Sequence, residues 1–240
     1  VRILEKKILT KLDTFGVKSV AEYFCELKND KEIMELSRYF RKRGSIFIKH
    51  MNEKQSKLDI LRKQIEQDKN LPLSTNLVFG EGDINCKVLF IGEAPGEKED
   101  ETGRPFVGRA GQLLTKSLEE IGWKREDVYI TNIVKRRPPF NRDPLPEEIA
   151  LYKPYLTKQI EIISPLLIAT LGRFSMNYFL PEAKIMKDQG KLFRVKDYFI
   201  YPILHPAAAL RGNAMMAIFK ESIKRLPRAA EKAEKLKSGK

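Results

Sequence analysis

Along the first 66 or so residues, apolar side chains recur at helical spacing, as in Ile3, Leu4, Ile8, Leu9 and Leu12. Gly16 breaks that run, and Ser19 offers a cap for the next helix. Further helices are predicted over 31–43 and 47–67, and no proline stands before Pro72. From Asn70 the texture changes to strands alternating with helices. An apolar run over 87–91 (KVLFI) ends in the loop Gly92-Glu93-Ala94-Pro95-Gly96, and a helix is predicted over 110–121. The run over 128–134 (VYITNIV) is rich in β-branched and aromatic residues and reads as a strand. Pro146 followed by Glu147 and Glu148 makes a good first turn for a helix to Ile163. Two more strands are predicted over 166–171, ending at Gly172, and over 199–204, ending at His205-Pro206. From Lys220 onward the chain reads as a basic helix. Strands alternating with helices predict an α/β sandwich with a mainly parallel sheet over 70–240, preceded by a helical extension over 1–69.

Composition narrows the reading. A hydrophobic fraction of 42% with 9% aromatics suffices for a buried core and excludes general disorder. Forty-five Lys and Arg against thirty-two Asp and Glu leave a formal charge of +13, which points to a polyanionic partner, nucleic acid first. A basic proteome or a highly charged thermophile surface would give the same excess. Arg41-Lys42-Arg43 is the densest basic run of the extension, and reads either as a phosphate contact or as a solvated helix face. The only two cysteines, Cys25 and Cys86, exclude a disulfide scaffold and a four-cysteine metal site. No run reaches the roughly 18 apolar residues of a membrane span. Arg2, Glu5, Lys6 and Lys7 interrupt any signal-peptide pattern, so a cytoplasmic protein is expected.

Candidate chemistry falls at strand ends, where ligands gather in sheets of this kind. Glu93 follows the first strand, Asn132 lies near the end of the second, and His205 follows the last. Singly, each has an ordinary reading: a loop acid or cap, a turn residue, a structural histidine. Together with an aromatic face from Phe106, in the glycine-flanked segment 102–108, they suit a flipped nucleobase. A carboxamide carries both a donor and an acceptor and can read uracil O4 and N3–H together. An imidazole can donate to a base carbonyl that gains charge as the base departs. A carboxylate can align or deprotonate water and stabilise an oxocarbenium-like sugar.

At these residues the sequence resembles family 4 of the uracil-DNA glycosylases. The likeness runs from about Asn76 to about Arg225. It rests on VFGEG (78–82), VLFIGEAPGEKEDETGRPFVGRAGQLL (88–114), VYITNIVKRRPP (128–139), NRDPLPEE (141–148) and HPAAALR (205–211). The resemblance implies a three-layer sandwich with a central four-stranded parallel sheet, and hydrolysis of the glycosidic bond of a flipped-out deoxyuridine in DNA. It implies roles as well. Glu93 positions water, Phe106 stacks on the base, Asn132 reads it and His205 supports its departure. Ala94 stands where other branches of the superfamily carry a catalytic Asp. Glu99 matches an acid beside the base 5-position that helps exclude thymine. Pro206–Arg211 matches the loop that enters the minor groove, with Leu210 and Arg211 as the wedge. Arg104, Arg109, Lys135, Arg136, Arg137, Arg142 and Arg211 are the expected basic face for phosphate.

One departure is large. The family usually holds a [4Fe–4S] cluster through four cysteines. Their places here are Asp68, Leu71, Arg136 and Tyr152, so no cluster and no other cofactor is expected. The resemblance says nothing about the N-terminal helices, which could bind DNA, meet a protein partner or cover the vacated space. A monomer acting on uracil-containing DNA, away from membranes, is the expectation. A glycosylase for another deaminated base such as hypoxanthine or xanthine, and a non-catalytic binder of uracil-containing DNA, are the alternatives.

Overall fold

The computed structural model describes residues 53–239. The helices expected before residue 53, Cys25 and the Arg41-Lys42-Arg43 run lie outside the described residues. The first described element, α1 (53–67), turns Leu58, Leu61 and Ile65 inward at the helical spacing of its sequence, and all three are buried.

Six strands form one sheet in the order β1-β3-β2-β4-β6-β5. They are β1 (Glu81–Gly82), β2 (Val88–Gly92), β3 (Tyr129–Asn132), β4 (Leu167–Leu171), β5 (Phe193–Val195) and β6 (Tyr198–Ile203). The four inner strands are parallel, as the long apolar runs predict; the expected four-stranded sheet is widened by an antiparallel strand at each edge. Both edge strands are short and only partly buried, so neither has the continuous apolar run that marks a parallel strand. β5 reaches β6 through a tight turn in which Lys196 takes φ 52°.

The helices are α2 (Glu97–Thr102), α3 (Arg109–Glu120), α4 (Pro146–Ile163), α5 (Arg173–Phe179), α6 (Ile185–Asp188), α7 (Pro206–Ala209) and α8 (Asn213–Lys237). α8 begins about two turns before the basic tail that announces it in the sequence. Strand side chains alternate between two buried layers. Val88, Phe90, Ile130, Ala169 and Tyr201 meet Leu114 and Leu118 of α3 and Phe219, Ile223 and Leu226 of α8. Leu89, Ile91, Tyr129, Ile168 and Ile200 meet Leu61 and Ile65 of α1 and Tyr152, Leu156 and Ile160 of α4. Helices therefore cover both faces of the sheet, the arrangement that parallel strands require.

Ile65 is completely buried among these side chains. Ile65→Ala should cost about 2–5 kcal/mol of stability. Urea unfolding of wild type and variant measures it, and an unchanged midpoint would mean that α1 contributes nothing to the core.

Candidate active site

The parallel strands deliver their carboxyl ends to one edge of the sheet, where a cleft of about 680 Å³ opens. Register fixes its centre. Gly92 of β2 pairs with Asn132 of β3. Beyond the strands the ladder continues: Ile133 N–H donates to Gly92 O and Val134 N–H to Glu93 O, each at 3.0 Å. Glu93 and Asn132 are neighbours for that reason, and both line the cleft.

Asn132 is 1% exposed, and its Oδ1 is buried without a hydrogen-bond partner among the described residues. A buried orphan acceptor is costly, and one that lines a cavity is a site for a ligand donor. Phe106 comes beside it in a left-handed conformation, φ 50°. Two glycines permit the approach. A Cβ on Gly92 would lie 2.4 Å from Phe106 Cζ, and one on Gly111 would lie 1.8 Å from Phe106 O. Glu99 fixes the same segment, since Val107 and Gly108 N–H donate to its Oε1 at 2.8 and 2.7 Å.

His205 caps α7: its Nδ1 accepts from Ala207 N–H at 3.1 Å. In the neutral ring the proton therefore sits on Nε2. Burial, helped by the Arg211 charge, pushes the imidazole pKa down to about 4, so the ring is neutral at physiological pH. Its centroid lies 5.8 Å from that of Phe106. Gly172, at the end of β4 with φ +94°, leaves room for it; a Cβ there would sit 3.0 Å from the His205 Cβ.

Glu93 is half-buried, and burial together with the like charge of Asp143 pushes its pKa up to about 7. Arg173 opposes that shift and bonds Asp143 at 2.8 Å. Arg173 and Asp143 also line the cleft, and the sequence reading missed both. The signal was available: β4 ends at this same sheet edge, so the residues after Gly172 share the position that singled out the other three loops.

Ala94, Glu99 and Arg211 line the cleft with Phe106 and His205. Pro206 is buried at the start of α7, whereas Leu210 is 40% exposed. Arg109 is exposed at the first position of α3. Arg137 is half-buried, its Nε bonded to Asn141 Oδ1 at 2.8 Å. The expected basic face needs one correction. Lys135 is wholly buried, and its Nζ donates to Thr131 Oγ1, Asn132 O and Gln159 Oε1 at 2.6, 2.9 and 2.6 Å. It faces the layer between β3 and α4 and cannot reach phosphate. Arg104 and Arg142 are exposed but pair with Glu81 and Glu148. Arg136 donates to Thr75 O.

The four positions that the resemblance gives to an iron–sulfur cluster carry no thiolate. Tyr152 Oη donates to Pro72 O at 3.2 Å, and Tyr155 Oη donates to Asp68 Oδ2 at 2.6 Å. Leu71 packs against the core. Cys86, the one cysteine among the described residues, lies in the core, where burial pushes its thiol up to about 12. A [4Fe–4S] cluster takes four thiolates, or imidazole in some variants, and the residues at these positions do not fit it.

The family described as the uracil DNA glycosylase superfamily matches residues 79–227. A type-4 uracil-DNA glycosylase of Sulfurisphaera tokodaii is 46% identical over 162 residues, which cover 63% of this chain and 74% of that protein. One from Saccharolobus solfataricus is 43% identical over 72% of this chain and 86% of its own length. One from Thermotoga maritima is 42% identical over 73% of this chain and 95% of its own.

The His205 geometry has a direct readout. Nitrogen NMR should find the Nε2-protonated tautomer, with protonation only near pH about 4. A midpoint at the ordinary histidine value of about 6.5 would contradict both the burial and the Ala207 bond.

Proposed function

The chain belongs to the uracil DNA glycosylase superfamily, and on that premise we propose that it hydrolyses the N-glycosidic bond of deoxyuridine in DNA, leaving an abasic site. One observation carries the site assignment: the orphaned Asn132 carboxamide lies in the same cleft as the Phe106 ring and the neutral imidazole of His205.

The chemistry follows from those groups. Uracil is flipped against Phe106. Asn132 Oδ1 accepts from N3–H and its Nδ2 donates to O4; cytosine presents the reverse pattern and is refused. Glu99 anchors the Phe106 segment and brings its carboxylate to the cleft, where a 5-methyl group would crowd it. As the C1′–N1 bond breaks, charge builds on uracil O2 and His205 Nε2–H donates to it. Water aligned by Glu93 forms the new bond to C1′ and yields its proton to that carboxylate. The small Ala94 leaves the water room. The positive charge on the sugar is met by the Glu93 carboxylate, so catalysis requires its ionised form.

In this proposal Pro206, Leu210 and Arg211 enter the groove, with Leu210 filling the emptied stack. Arg109, Arg137 and Arg211 meet phosphates. The enzyme works as a monomer in the cytoplasm, where 70–240 is the catalytic body and residues 1–69 are available to a protein partner. No helix among the described residues is long and apolar enough to cross a membrane. The side chains at Asp68, Leu71, Arg136 and Tyr152 take over the tie that a cluster provides, and the enzyme works without one.

An oligonucleotide with one uracil, cleaved at abasic sites by alkali, tests the activity. His205→Ala and Glu93→Ala should each lower the excision rate about 10²–10⁴-fold. The wild-type rate should rise through pH about 7 as Glu93 ionises, and Glu93→Gln should lose that rise. Tight retention of the oligonucleotide without cleavage would favour the non-catalytic binder. Iron and acid-labile sulfide analysis of purified protein should find neither in proportion to the chain; finding both would overturn the cluster-free reading.

A further inference from the structure

Phe140 stands apart from the other aromatics among the described residues. Its ring is 98% exposed, whereas no other large hydrophobic among the described residues exceeds 55%. It sits in a short 3₁₀ turn (Pro139–Asn141) at φ 55° and ψ 24°, and Asn141 follows at φ 55°. Two successive left-handed residues without glycine are unusual, and for a bulky side chain that conformation is unfavourable. Burial does not compensate, because the ring touches almost nothing.

The turn is held rather than loose. Asn141 and Arg142 N–H donate to Pro138 O and Pro139 O at 3.2 and 3.1 Å. Asn141 Oδ1 accepts from Arg137 Nε at 2.8 Å. The Arg142 guanidinium grips both oxygens of Glu148 at 2.9 and 2.6 Å, and Glu148 also caps α4 at Leu145 N–H. The turn stands on the rim of the cleft, since Pro138, Asn141 and Arg142 line it. It follows β3, whereas the exposed Leu210 follows β6, the outer strand of the parallel set on the other side. The strands that precede these two projecting apolar side chains are the outer pair of the parallel set, about 14 Å apart by strand spacing.

We propose that Phe140 is a stacking platform for an unpaired nucleobase of the strand that carries the uracil, and that it gives the enzyme its hold on single-stranded DNA. The inference rests on the glycosylase reading above. A rigidly held, solvated aromatic beside basic side chains is the arrangement that binds single strands, because every base offers a face to it. In a duplex the flanking bases are already stacked on both sides, so the ring has little to gain there.

Phe140→Gly and Phe140→Trp separate binding from folding. Glycine adopts positive φ freely, so Phe140→Gly should melt no lower than wild type. On a single-stranded oligonucleotide with one uracil it should raise KM roughly 5- to 100-fold, with kcat unchanged. On the same oligonucleotide in a duplex the change should stay within about threefold of wild type, since stacking there gains little. Phe140→Trp should restore the single-strand KM, and its added indole fluorescence, above the Trp123 background measured in Phe140→Gly, should be quenched by that single strand. An unchanged single-strand KM in Phe140→Gly, equal losses on both substrates, or an indole insensitive to saturating DNA each overturns the proposal. Wild-type protein that excises no uracil from either substrate would instead sink the glycosylase reading.

Discussion

The cleft depends on a bare Cα at the end of β2. Gly92 pairs with Asn132 across the ladder, and a methyl group there would lie 2.4 Å from both Asn132 Oδ1 and Phe106 Cζ. Real side-chain carbons do not approach so closely. The carboxamide and the ring would have to move, and the backbone that carries the ring is pinned, because Phe106 O already rests against Gly111. The missing side chain thus sets the distance between the Asn132 carboxamide and the Phe106 ring. Parallel pairing then adds the rest: β2, β3, β4 and β6 all end at this edge, so Glu93, Asn132, Arg173 and His205 arrive there without any long connection.

Behind Asn132 stands a second support that is not visible from the cleft. Lys135 Nζ meets three oxygens, and the Thr131 hydroxyl among them gives its own proton to Phe79 O at 2.8 Å. An ammonium has three protons for three acceptors, whereas a neutral amine would turn a lone pair toward one of them. Burial works the other way and pushes the lysine pKa well below its usual range. As an ammonium Nζ anchors the Asn132 carbonyl along with the other two acceptors. Gln159 Nε2 donates to the same Phe79 O at 3.0 Å, so α4, β3 and the segment before β1 close one buried polar network. Such a network is rigid when every member is satisfied, and it holds the backbone from which the Asn132 amide enters the cleft.

Much of this was legible in the sequence, for identifiable reasons. The inner strands are continuous apolar runs, so β2, β3, β4 and β6 fall within two residues of their expected limits, and α4 spans the expected 146–163. The edge strands carry no such pattern. That Glu93, Asn132, Phe106 and His205 share one cleft was legible because strand ends and glycine-flanked aromatics mark a cleft before any side chain is placed. Lys135 was misread because VKRRPP looks like one basic stretch; only the direction of the chain after β3 separates a buried lysine from Arg136 and Arg137. Phe140 gave no signal at all. An aromatic between proline and asparagine reads as an ordinary loop residue, and its exposure and left-handed backbone exist only in three dimensions.

The segment from Asp68 to Asn76 is held at many points. It leads from α1 into the stretch where Val78 N–H donates to Lys135 O at 2.8 Å and Phe79 O receives Thr131 and Gln159. A shift in that segment would reach Asn132 through a few bonds. Each hydrogen bond that holds it replaces one to water, so singly each is worth little. The contacts are accordingly spread. Tyr152 and Tyr155 reach from α4 to Pro72 and Asp68, Arg136 reaches Thr75 O, and Thr75 Oγ1 returns to Arg137 O at 3.1 Å. Asn76 adds two bonds to Asp100 at the other side. Leu71 and Leu73 pack on the same core layer as α1 and α4. Several weak attachments at separate points restrain a loop in the way that one strong covalent attachment would, because each removes a direction in which the loop could move.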